Sequence, residues 1–128
     1  MTRRTLLRRE RAALKAFIER LDKTNSGLVR GLALYGSKAR GDSRLESDID
    51  LLVLLDRPAR LFRRKILTLA AQVSLEYDVL LIPIVIDIPR WRRKQGFSFY
   101  RRVAKEAIPL IVSHGRLRLG SGNLVVDS

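Results

Sequence analysis

Apolar residues along this chain switch between a helical period and continuous runs. Leu6, Ala13, Leu14, Phe17, Ile18 and Leu21 fall on one helical stripe, and Arg4, Arg8, Arg11 and Lys15 lie largely off it. That spacing predicts a helix over residues 5–22. Thr24-Asn25-Ser26-Gly27 is a loop by composition. Residues 28–35 read as a first strand, after which Gly36 and Ser37 turn the chain into a short helix ending at Arg40. Residues 41–47 form a polar loop. Residues 49–55 are an almost unbroken apolar run, the mark of a strand covered on both faces, and Arg57-Pro58 ends it.

The helical period then returns. Phe62, Ile66, Leu69 and Val73 predict a second long helix over 59–75. Residues 79–86 read as a third strand in which Pro83 argues for an edge position or a bulge. Residues 89–107 predict a helix broken at Gln95-Gly96, with Phe99, Tyr100, Val103, Ala104 and Ala107 as its apolar face. Residues 108–112 add a last strand or extended segment. Helices alternating with a few strands make an α/β (α+β) fold, a small mixed sheet packed with helices. One domain spans 1–114, and the glycine-containing segment 115–128 reads as a loose tail.

Composition narrows the picture. The 128 residues suffice for one domain with a sizeable core. No apolar run approaches the ~20 residues of a membrane helix, and the N-terminus lacks the apolar stretch of a secretory signal. Its first nine residues are arginine-rich and acid-free like a transit peptide, but Glu10, Glu19 and the full helical period speak against one. A cytoplasmic protein with no membrane partner is expected. Without cysteine there is no disulfide or thiolate chemistry. A single histidine, His114, excludes a multi-histidine metal site within one chain. The net charge of +13 implies attraction to nucleic acid, nucleoside triphosphates or an acidic protein, or else a merely solvated basic surface.

The candidate chemistry lies between Leu34 and Asp56. Asp48 and Asp50, two apart at the start of a strand, point to the same face, with Ile49 facing the other way. Paired carboxylates suit hard divalent cations. Gly36 and Ser37 form a turn able to aim backbone N–H groups at phosphate. Arg40 either contacts phosphate or braces the loop, and Lys38 is expected in solvent. Asp42, Glu46 and Asp56 read as surface or loop-end acids, and Ser47 as a cap. Two decoys overlap this segment. Gly36 to Ser43 resembles a P-loop, but Asp42 replaces the lysine and would repel phosphate. Arg40-Gly41-Asp42 is the adhesion tripeptide, a three-residue match that occurs by chance.

Gly36-Ser37-x-Ala39-Arg40-Gly41 followed by Ser47-Asp48-x-Asp50-Leu51 resembles the signature of the DNA polymerase β-type nucleotidyltransferase superfamily. More narrowly, it resembles the minimal nucleotidyltransferase (MNT) proteins. The close match covers residues 34–56. The resemblance implies the polymerase β-type fold and two Mg²⁺ ions held by Asp48 and Asp50. It also implies a third acid in a hydrophobic–acid–hydrophobic context on a later strand. Asp78, opening the third strand, is the preferred candidate. Asp87, just before Ile88-Pro89, is more simply a helix N-cap; Glu76 is a weaker spare, and neither position is the remaining alternative. Gly36, Ser37 and Arg40 would bind the triphosphate of ATP.

The implied activity is transfer of AMP to an acceptor hydroxyl. MNT proteins serve as antitoxins that modify a tyrosine of a helical HEPN RNase toxin, and a chain without its own helical second domain suits that arrangement. Two rivals stand beside it. One is a catalytically weak module that silences a partner or holds nucleic acid by charge. The other is a small-molecule, aminoglycoside-type nucleotidyltransferase, for which 128 residues leave little room. The densest basic cluster is Arg90, Arg92, Arg93, Lys94, Arg101, Arg102 and Lys105. Trp91, Phe97, Phe99 and Tyr100 are interleaved with it, so it can stack bases or simply pack its aromatic residues into the core.

Overall fold

The computed structural model describes residues 6–24, 27–40, 48–113 and 116–120. The elements run α1 (Arg8–Thr24), β1 (Val29–Tyr35), α2 (Ser37–Arg40), β2 (Ile49–Leu55), a 3₁₀ turn (Ala59–Leu61), α3 (Arg63–Tyr77), β3 (Leu81–Asp87), α4 (Ile88–Arg93), α5 (Ser98–Glu106), β4 (Ile108–Ser113) and β5 (Arg116–Leu119). Asp42, Glu46, Ser47 and His114 lie outside the described residues.

The strands form one sheet in the order β3-β2-β1-β4-β5. β2 runs antiparallel to β1 and parallel to β3, so the chain crosses from β2 to β3 through α3. Pro83 lies on the edge strand β3, where a missing N–H is tolerated. Successive β2 side chains serve two cores. Ile49, Leu51, Val53 and Leu55 pack with Ala13, Leu14, Phe17 and Leu21 of α1 and with Ile66, Ala70 and Val73 of α3. Leu52 and Leu54 pack with Ala33, Ile86, Trp91, Val103 and Ala107 on the α4–α5 side. This double coverage is why β2 reads as a continuous apolar run rather than an alternating one.

Local chemistry shifts several expected boundaries. The second long helix is a 3₁₀ turn and then α3, with Phe62 between them in a non-helical conformation (φ −121°). The helix expected over 89–107 is two helices, divided around Gln95-Gly96 as the sequence suggested. The tail expected from Gly115 onward contains β5, which pairs antiparallel with β4 and places Leu117 in the core. Arg11 donates to the Leu117 carbonyl at 2.9 Å and ties α1 to this strand. A four-residue strand flanked by glycines has little signal of its own; its partner supplies the ladder.

Candidate functional site

Ile49 is fully buried against α1 and α3, so Asp48 and Asp50 on either side of it face the α4–α5 side of the sheet. Asp48 is exposed and Asp50 half-buried. Asp50 pairs across the β1–β2 ladder with Tyr35, and Gly36 follows directly. Gly36 has φ +74°, and a Cβ built on it would come 2.6 Å from Asp50 Oδ2. Only glycine satisfies both the left-handed backbone and the close approach of the carboxylate. Arg40 N–H donates to the Gly36 carbonyl at 3.0 Å, closing the first turn of α2 over the site.

The electrostatics follow from this packing. Burial pushes the Asp50 carboxyl up, the nearby charge of Asp48 adds to the rise, and Arg40 opposes it. Tyr35 is pushed up to about 12, by burial first and then by the Asp50 charge. Arg40 also reaches Glu106 on α5, Nη1 to Oε1 at 3.4 Å. It therefore lies between the carboxylate pair and α5. Two like charges held together, one of them partly desolvated, favour a bound cation, and their oxygen donors match the preference of Mg²⁺. The donor set fits that ion.

Lys38 departs from expectation. It is buried rather than solvated and pairs with Glu10 Oε2 at 2.8 Å. Glu10 Oε1 also accepts from the Leu7 N–H at 2.7 Å. The clue was in the sequence: Glu10 sits four residues from both Leu6 and Leu14, on the apolar stripe of α1.

The third-acid candidates are placed elsewhere. Asp78 is the αL C-cap of α3 (φ 55°, ψ 50°), exposed, with its carbonyl accepting from Arg9 Nε at 3.2 Å. Asp is among the residues that tolerate this conformation, so its backbone role is accounted for. Asp87 is the N-cap of α4: one oxygen accepts from the Arg90 N–H at 3.1 Å and the other from the Ala59 N–H at 3.0 Å. Those bonds, the Ala59 one foremost, hold its carboxyl below the usual range. Glu76 forms a two-pronged pair with Arg20 at 2.6 and 3.0 Å. Among the described residues, no group of three or more acid, histidine or cysteine side chains gathers as a metal cage. Asp48 and Asp50 come together at the site, and Asp78 does not join them. The β3 residue paired with Asp50 is the apolar Ile82.

The basic cluster is divided between α4 and α5. Trp91 is core, and Tyr100 is half-buried against it with ring centroids 5.7 Å apart. Phe97 and Phe99 remain exposed.

The fold thus sets a carboxylate pair at one end of a mixed sheet, next to a glycine turn. The chain belongs to the nucleotidyltransferase domain family, which matches residues 14–107. Two relatives come from Methanocaldococcus jannaschii. "Putative protein adenylyltransferase MJ0604" is 33% identical over 76% of this chain and 93% of its own length. "Putative protein adenylyltransferase MJ0141" is 45% identical over 41% of this chain and 54% of its own. Among solved structures, a toxin–antitoxin crystal structure with AMP-PNP overlays with a TM-score of 0.49 at 21% identity, covering 74% of this chain and 70% of that one. Among the described residues, no helix is long and apolar enough to cross a membrane.

Proposed function

We propose that the protein transfers AMP from ATP to an acceptor hydroxyl, with Asp48 and Asp50 as the metal-binding carboxylates and the Gly36–Ser37 turn as the phosphate grip. The observation that carries this reading is the approach of Gly36 to Asp50: a Cβ there would come 2.6 Å from Asp50 Oδ2, so in this reading glycine leaves the turn free to bring phosphate up to the carboxylates. Mg²⁺, two ions in this reading, would screen the triphosphate charge and polarise the phosphorus under attack. Arg40 supplies fixed positive charge beside the same carboxylates. The relatives' names, which specify protein adenylyltransferase, support a protein acceptor. An antitoxin acting on a tyrosine of a HEPN RNase toxin is the acceptor class that the MNT resemblance favours. The net charge of +13 suits an acidic partner and would also draw nucleic acid.

A second reading has one observation behind it. The three-acid set is not gathered among the described residues, which suits a module that binds nucleotide or partner with weak catalysis. Incubation with Mg²⁺, α-labelled ATP and the product of the neighbouring gene separates the two. Label on a partner tyrosine, lost in Asp48→Asn and Asp50→Asn, supports transfer. Partner binding and neutralisation without label, unchanged in those variants, supports the module.

A further inference from the structure

We infer that Phe99 is the platform on which the nucleobase of the bound nucleoside triphosphate stacks, an inference that rests on the nucleotide reading above. Phe99 and Val103 of α5 and its C-cap Ala107 form an apolar stripe, and Val103 and Ala107 are buried in the core. Phe99, one turn earlier, is not: 41% of it is exposed. The ring is nevertheless held in place. It meets Tyr35 edge-on at 6.5 Å between centroids and Tyr100 edge-on at 5.5 Å. A ring ordered by two tyrosines has already lost the freedom that stacking would otherwise cost it.

Its position gives the ring a ligand. Tyr35 is the cross-strand partner of Asp50 and the residue before Gly36. Directly opposed residues of an antiparallel pair share a face of the sheet, so the Tyr35 side chain lies on the same face as Asp50. Phe99 in turn contacts the Tyr35 ring. The chain of contacts from Asp50 to Tyr35 to Phe99 gives a nucleotide gripped at Gly36 by its triphosphate an exposed ring for its base. The other exposed aromatic of this segment, Phe97, differs in having Lys94 Nζ over its ring at 4.5 Å. It serves as the control.

The test is calorimetry with Mg²⁺-ATP, Mg²⁺-GTP and Mg²⁺-tripolyphosphate, the last carrying no base. Phe99→Ala should weaken both nucleotides by roughly five- to a hundred-fold, the range of a lost base–aromatic stack. It should leave tripolyphosphate affinity unchanged. Phe99→Trp should restore nucleotide affinity, and Phe97→Ala should change nothing. Unaltered nucleotide affinity in Phe99→Ala overturns the inference, and so does an equal loss for tripolyphosphate, which would make the ring a support for the phosphate turn. Failure of the wild-type protein to bind either nucleotide or tripolyphosphate overturns the nucleotide reading itself, and the inference with it.

Discussion

Lys38, in the short helix after the glycine turn, and Glu10, in the first turn of α1, form an ion pair of 2.8 Å with each residue 2% exposed. The pair fastens α2 to α1 beneath the core, and Glu10 also satisfies the Leu7 N–H. Removing one partner strands the other charge without water. Lys38→Ala should therefore cost about 3–5 kcal/mol in urea unfolding. The double variant Glu10→Gln, Lys38→Met should cost clearly less than the sum of the two single changes. Strict additivity would show that the two side chains do not act as a pair.

If Asp50 holds a cation, it should link stability and metal binding in opposite senses. Its pKa is raised in the folded state, so between the ordinary carboxylate value and the raised one the native protein binds more protons than the unfolded chain. The metal-free fold should then lose stability as pH rises across that interval. Asp50→Asn, uncharged throughout, should flatten the curve and raise the melting temperature of the metal-free protein at pH 7. Mg²⁺ binding requires the charged form and should strengthen over the same interval. Thermal melts with and without Mg²⁺ read both effects. A wild-type protein that is less stable than Asp50→Asn even with saturating Mg²⁺ would count against the ion site.

Gly36 carries two separable penalties. Gly36→Ala should destabilise by about 1–3 kcal/mol through its positive φ, with an added cost from the 2.6 Å approach to Asp50 Oδ2. In an Asp50→Ala background the second cost should vanish and the first remain. Denaturant midpoints across the four-variant cycle measure the difference. Mg²⁺-ATP affinity should fall in Gly36→Ala, and unchanged affinity would argue against this turn as the phosphate grip.

Asp87 is expected to matter for stability rather than catalysis. Asp87→Ala removes the acceptor for both the Arg90 and Ala59 N–H groups and should cost about 1–2 kcal/mol, the upper range of an N-cap loss. Because its carboxyl is held low, its contribution is full above the ordinary carboxylate value and fades as pH falls through the depressed one. Nucleotide transfer at saturating substrate should be retained, whereas loss of transfer in a folded Asp87→Asn variant would reinstate it as a third acid.

The positive surface can be tested by position. Arg101 and Arg102 are exposed on α5, the helix that borders the site. Arg60 and Arg64 are exposed beside and on α3, which packs on the opposite face. If an acidic partner docks at the site, reversing Arg101 and Arg102 to Glu should weaken association more than reversing Arg60 and Arg64. Both effects should shrink at high salt, where screening shortens to ~3 Å at 1 M. Equal losses would mean that net charge alone governs association.

Sequence by itself determined the elements whose signal is local. The almost unbroken apolar run from Ile49 to Leu55 read as a strand covered on both faces, and Pro83 pointed to an edge or a bulge, of which the fold has the edge. The alternation around Ile49 set Asp48 and Asp50 on one face, because strand geometry leaves no other choice. Asp87 before Ile88-Pro89 was legible as an N-cap for the same reason: the bond it makes lies three residues away. Tertiary structure decided what depends on distant partners. β5 exists because β4 offers it a ladder, and Lys38 is buried because Glu10, 28 positions earlier, meets it inside. The cross-strand register brings Tyr35 to Asp50, and helix packing brings Phe99 to Tyr35, relationships that no local spacing encodes. Asp78 looked like a strand-opening acid, but the turn from α3 into β3 required a residue in the left-handed region, and the carboxylate went with it into solvent.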